Sequence, residues 1–177
     1  MLIKVFSATL QGLKALPVTI EVNATVGLKF VMVGLPDNAV KESHERILSA
    51  LEVSGYRLPA RHIVVNMAPA DIKKEGSGFD LPLAIGILAS AEKIKTNRLN
   101  RFMLVGELGL DGNIQPIKGV LPLAIKAKEL GYEGIFVPAQ NANEAAVVEG
   151  LDVYGAEKLS DVADFFNTNK ELPKTKV

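Results

Sequence analysis

Hydrophobic and polar positions alternate early in this chain. Val18, Ile20 and Val22 are interleaved with Thr19, Glu21 and Asn23, the period-two signature of a strand buried on one face. This segment, 17–26, and the apolar stretch 2–9 predict two strands joined by Gln11-Gly12-Leu13-Lys14. A third short strand, 30–33, stops at Gly34-Leu35-Pro36. The period then becomes that of a helix. Val40, Ile47, Leu48 and Leu51 fall on one face, and Lys41, Glu42, Glu45 and Arg46 on the other. Asp37 stands where an N-cap belongs, and Gly55 where the helix should stop. The β-branched run 62–67 predicts another strand.

Past Pro69, the loop 71–79 feeds a helix predicted over 80–91, with Asp80 as its cap and Pro82 in the first turn. Leu81, Leu83, Ala84, Ile85, Ile87 and Leu88 leave almost no polar face, so this should be the central buried helix. Segments 102–106 and 113–117 flank Asp111-Gly112, a hairpin-turn dipeptide. There follow a helix over 120–130 closed by Gly131, a strand over 134–137, and a short helix opened by a capping box of Asn141 and Glu144. A strand over 152–155 and a helix over 160–167 come last. The polar tail 168–177 reads as a linker or cut end. Hairpins in front and strand–helix alternation behind predict an α/β (α+β) fold, a mixed sheet packed with helices.

Composition narrows the function classes. The chain of 177 residues is 48% hydrophobic and 23% charged, an ordinary globular balance. Its 20 basic and 20 acidic residues leave no net charge, so any nucleic-acid contact has to come from a local basic patch. Cysteine is absent, which removes disulfides and thiolate metal sites and fits a reducing compartment. No signal-peptide pattern opens the chain, and no apolar run approaches the roughly 18 residues of a membrane span. A cytoplasmic protein with no membrane partner is expected.

Candidate chemistry gathers in the segment 73–80. Gly76-Ser77-Gly78 before a helix, with Lys73 and Lys74 alongside, offers backbone donors and positive charge to a phosphate or nucleotide. The segment matches neither G-x-x-x-x-G-K-[ST] nor G-x-G-x-x-G. Asp80 also brings a carboxylate to the helix entrance, where it competes with phosphate. Ser77 with Lys118 would make a serine–lysine hydrolytic pair, although nothing in the sequence brings the two together. The two histidines, His44 and His62, have no metal-ligand spacing, so no metal is expected. Asp71, Glu75 and Asp80 could cluster, but solvated or capping roles are commoner for such carboxylates. Arg57, Arg61, Lys73, Lys74, Arg98 and Arg101 are scattered over several elements. No aromatic interleaving supports a stacking platform for single strands.

Four ordered blocks carry a resemblance. They are Val33-Gly34-Leu35-Pro36-Asp37 with Ala39-Val40-Lys41-Glu42-Ser43; Val65-Asn66-Met67-Ala68-Pro69-Ala70-Asp71; Lys74-Glu75-Gly76 with Phe79-Asp80-Leu81-Pro82; and Gly106-Glu107-Leu108 through Gly119-Val120-Leu121-Pro122. Together, over about residues 1–165, they resemble the N-terminal region of the Mg-chelatase-like AAA+ family that includes ComM and YifB. The resemblance implies a Lon-protease-like fold of the ribosomal-protein-S-five domain-two-like group. It also implies an N-terminal, ChlI-type domain over 1–167, with 168–177 leading toward an AAA+ module. ATP and Mg belong to that module, and the fragment itself needs no cofactor. Implied partners are the AAA+ module, the other copies of a homo-hexamer, and DNA in branch migration linked to transformation.

Lon proteases carry their serine in a Lys-Asp-Gly-Pro-Ser-Ala-Gly block. Laid over residues 74–80, its serine falls on Gly78, and the Lon lysine position falls on Leu121. With both halves of that dyad gone, the resemblance implies no catalytic residue here. A non-catalytic accessory domain is expected, helping ring assembly or DNA engagement. Lys73, Lys74, Ser77 and Arg61 are candidate DNA or partner contacts, and Gly76, Gly78 and Asp80 a structural loop and cap. A cryptic Ser–Lys peptidase and a phosphate-binding loop at 76–78 are the alternatives.

Overall fold

A computed structural model describes residues 1–58, 60–74 and 77–177. Strands β1 (Leu2–Gln11) and β2 (Lys14–Val26) form a hairpin longer than predicted. Gln11 pairs with Lys14, so the turn is only Gly12-Leu13, and Gly12 takes the positive φ of 64° that such a turn needs. Strand β3 (Phe30–Val33) and helix α1 (Asp37–Val53) follow. Between them Gly34 has φ 104°, and a Cβ there would lie 2.6 Å from the Met67 carbonyl oxygen. Only glycine meets both conditions. Asp37 is not the cap: Pro36 holds that position and no side-chain cap bond is made. Leu48 also departs from the expected buried face and is 42% exposed.

Strand β4 (Arg61–Ala68) is followed by helix α2 (Asp80–Ser90). All eleven α2 residues are buried, as their lack of a polar face predicts. Next comes β5 (Phe102–Leu104), a central strand. It is not the hairpin partner expected for 113–117. The Asp111-Gly112 hairpin is built from β6 (Glu107–Leu108) and β7 (Ile114–Gln115), which form a separate small sheet. Asp111 Oδ1 accepts the Asn113 N–H at 3.0 Å and fixes the turn. The chain ends with α3 (Val120–Glu129), β8 (Gly134–Pro138), α4 (Ala142–Ala145), β9 (Asp152–Ala156) and α5 (Leu159–Thr168). Asn141 does not make the expected capping box; its amide instead bonds both backbone groups of Ile117.

The main sheet has seven strands in the order β3-β4-β2-β1-β5-β8-β9. The β1–β2 and β2–β4 pairs are antiparallel, and all others are parallel. Buried residues of α1, α2 and α5 form one core. Those of α3 and α4 form a second with Met103, Ile135, Val137 and Val153. The tail lies along β9, where the Thr175 N–H donates to the Val153 carbonyl at 2.7 Å. Lys174 pairs with Asp152 at 3.3 Å. No helix among the described residues is long and apolar enough to cross a membrane.

Candidate functional site

Asp80, the first residue of α2, is fully buried. Its carboxylate accepts from Arg46 Nε at 2.6 Å, a second Arg46 nitrogen at 3.1 Å, the Ser43 hydroxyl at 3.0 Å and the Leu108 N–H at 3.1 Å. Burial raises the Asp80 pKa, and Arg46, the Leu108 N–H and Ser43 oppose that rise. Asp80 in turn raises the pKa of Arg46. The expected cap is therefore a tertiary lock binding α1, α2 and the β6–β7 hairpin. Arg46 does not belong to a solvated face, although its helical spacing placed it there. Ser43 and Arg46 were not among the predicted site residues; their only sequence signal is a serine and an arginine three positions apart, one helical turn, in α1.

Lys74 is buried rather than offered to a partner. Its ammonium donates to the Pro69 carbonyl at 2.6 Å and the Ile72 carbonyl at 2.8 Å. Burial lowers its pKa, against a smaller opposite effect of Asp71. The folded chain thus releases this proton at a lower pH than the unfolded chain. Between that pH and the ordinary 10.5 the unfolded chain holds more protons, so stability rises with pH in this window. The urea midpoint of the native chain relative to that of Lys74→Met should rise as the pH is brought up toward 10.5; a pH-independent difference would show that Lys74 does not contribute.

The remaining predicted residues do not form one patch. Lys73 is exposed, while Ser77 and Gly78 are half-buried. Gly76 and Glu75 lie outside the described residues. Arg61 opens β4, a strand about 23 Å long at roughly 3.3 Å per residue, and Lys73 comes after its other end. Arg61 Nε is buried without a hydrogen-bond partner among the described residues. Arg98 lies 4.2 Å over the Phe165 ring and donates to the Phe165 carbonyl. It shares a cleft with Arg101, Lys174 and Lys176, but Glu133 and Glu171 interrupt the positive charge.

Of the phosphate loop expected at 76–78, Gly76 lies outside the described residues, and two donors at the start of α2 are engaged within the chain. The Asp80 N–H bonds the Ser77 carbonyl at 3.1 Å and the Leu81 N–H bonds the Gly106 carbonyl at 3.0 Å. These donors at the start of α2 are thereby taken. Asp71 is exposed while Asp80 turns inward, and no three metal-ligating side chains gather among the described residues. His44 instead stacks on Phe30 at 4.2 Å.

One arrangement was not legible in the sequence. Ser77 and Lys118 line the same cleft, of about 410 Å³, with Thr9, Gly78, Glu107 and Ile117 among its walls. Lys118 is exposed at its rim. The Ser77 hydroxyl bonds no other described residue.

Residues 20–141 match the family described as subunit ChlI of Mg-chelatase. The chain is 43% identical over 170 residues to the competence protein ComM of Haemophilus influenzae, covering 96% of this chain and 33% of that protein. It is 39% identical over 166 residues to the uncharacterized protein YifB of Escherichia coli, covering 93% and 33%. A more distant similarity, 27% over 125 residues, links it to Lon protease 2 of Bacillus subtilis, covering 70% and 22%. The chain thus spans about one third of the length of ComM and YifB.

Proposed function

Because the chain belongs to the family of the Mg-chelatase subunit ChlI, we propose that it is a non-catalytic accessory domain of a Mg-chelatase-like AAA+ ATPase. In this reading it helps assemble a homo-hexameric ring or engage DNA in ATP-driven DNA processing. ATP and Mg act in the AAA+ module, outside these residues. One observation carries the proposal: Lys74 and Asp80, two charged residues of the segment expected to carry chemistry, are spent on the fold. Asp80 holds Arg46, Ser43 and the Leu108 N–H, and Lys74 holds loop carbonyls. The name of the competence protein ComM supports a link to competence.

The test is deletion of residues 1–165 from the full-length protein, followed by DNA-stimulated ATP hydrolysis and branch-migration assays. Loss of either activity is expected; full retention of both refutes the proposal. For DNA contact, exposed Lys73 and half-buried Arg61 are cationic candidates. A second reading has one observation in its favour, the shared cleft of Ser77 and Lys118. If an unfolded casein substrate is cleaved by the native chain and left intact by Ser77→Ala, the chain is a peptidase and the first reading falls.

A further inference from the structure

Pro17 determines which backbone groups of β1 are available. It sits opposite Ala8 in the β1–β2 register and has no N–H to give, so Ala8–Pro17 is a non-hydrogen-bonded pair. The two-residue turn agrees, because it makes Gln11–Lys14 the first bonded pair and alternation leaves Leu10 and Ala8 unbonded to β2. The N–H and C=O groups of Phe6, Ala8 and Leu10 therefore point away from β2, toward β5.

Strand β5 reaches only the first of these residues. The β1–β5 ladder consists of the pair Phe6–Met103, and the Ser7 hydroxyl then takes the Leu104 carbonyl at 2.7 Å. Past that point the groups that would continue the ladder are engaged elsewhere. The Gly106 N–H donates to the Gly78 carbonyl at 2.9 Å, and the Gly106 carbonyl accepts from Leu81 at 3.0 Å. The Ala8 carbonyl and both backbone groups of Leu10 are left without a backbone partner among the described residues. They border the 410 Å³ cleft, whose lining includes Ala8, Thr9 and Leu10. Such a row of unpaired groups is a template for another strand.

From this geometry we propose that the cleft binds an extended segment of another polypeptide, added as a strand to the Ala8–Leu10 edge where β5 departs. The walls suit such an occupant. Val105, Ile117 and Leu123 offer apolar contact for alternate side chains, while Thr9 and Ser77 provide hydroxyls. Among the described lining residues the cation Lys118 is offset by the carboxylate Glu107, which favours an uncharged segment over a nucleic-acid backbone. Main-chain bonds supply affinity and the apolar walls select side chains. The inference does not depend on whether Ser77 reacts.

The probe is an acetylated and amidated heptapeptide of alternating valine and threonine, titrated into the isotope-labelled chain and followed by amide chemical shifts. Saturable shifts are expected at residues 8–10, 77–79 and 117–118. N-methylation of alternate peptide amides, made in each register, should weaken binding at least tenfold in one register only. Gly78→Val should also weaken it, because the added Cβ would meet only Ile117 Cδ1, at 3.9 Å. The rest of that side chain would then fill the cleft. The N-methyl comparison stands even if that variant folds poorly. Absence of saturable shifts at residues 8–10, or equal binding by both N-methylated peptides, overturns the proposal.

Discussion

Asp80→Ala lowers the stability of the chain by about 3–5 kcal/mol, the usual cost of removing one partner of a buried ion pair. The magnitude follows from what remains. Arg46 has a side chain only 21% exposed, and without Asp80 the carboxylates left to act on it are Glu107 and Glu42, the latter at 3.9 Å. The buried Leu108 N–H and Ser43 hydroxyl lose their acceptor as well, each adding a desolvation penalty. In a domain of this size the loss corresponds to a melting temperature lower by on the order of 10 °C. Thermal melts of Asp80→Ala, Arg46→Ala and the double variant measure it. The double variant should be less destabilised than the sum of the two, because neither charge is then left alone. Additive losses would mean that the two groups act independently.

Phe136→Ala should cost a similar amount, about 3–5 kcal/mol, for a different reason. Phe136 is fully buried in β8. It stacks on Tyr154 with ring centroids 4.9 Å apart and meets Phe165 at 5.0 Å, Phe102 at 5.3 Å and Phe166 at 5.4 Å. Rings held on two strands and a helix cannot collapse together into the space that the benzyl group leaves, so the cavity persists. Urea unfolding should show the lower midpoint, and amide exchange should quicken first in α5, which supplies two of those rings. Phe6→Ala, at a half-buried ring facing Tyr132 at 5.9 Å, serves as a control and should cost much less.

Much of the fold was legible because local patterns recorded it. The alternation in β2, the apolar surface of α2 and the Asp111-Gly112 turn each express a requirement that acts within a few residues. Where elements met across space, that kind of reading failed. The 102–106 and 113–117 segments look like hairpin partners from their separation, yet β5 is drawn into the main sheet by β1 and β8. Asn141 and Asp37 have the composition of caps but no cap bond, since the Asn141 amide is taken by Ile117 and Pro36 holds the position before Asp37. At the candidate site the same limit separated Ser77 from Lys118 in the sequence, while the fold places both on one cleft.

The sequence by itself determined the strand and helix order outside the segment 102–117, the buried character of α2 and, through four ordered blocks, the family. Those features depend on residue type and short spacing. Tertiary structure alone decided what the charges do. A carboxylate at a helix entrance can cap the helix, bind a ligand or lock a neighbouring helix, and only the arrival of Arg46 and Leu108 from distant segments selects the last. It also decided that Lys74 is an internal anchor and that the Ala8–Leu10 edge is left open, because burial and unpaired backbone groups are properties of assembled strands.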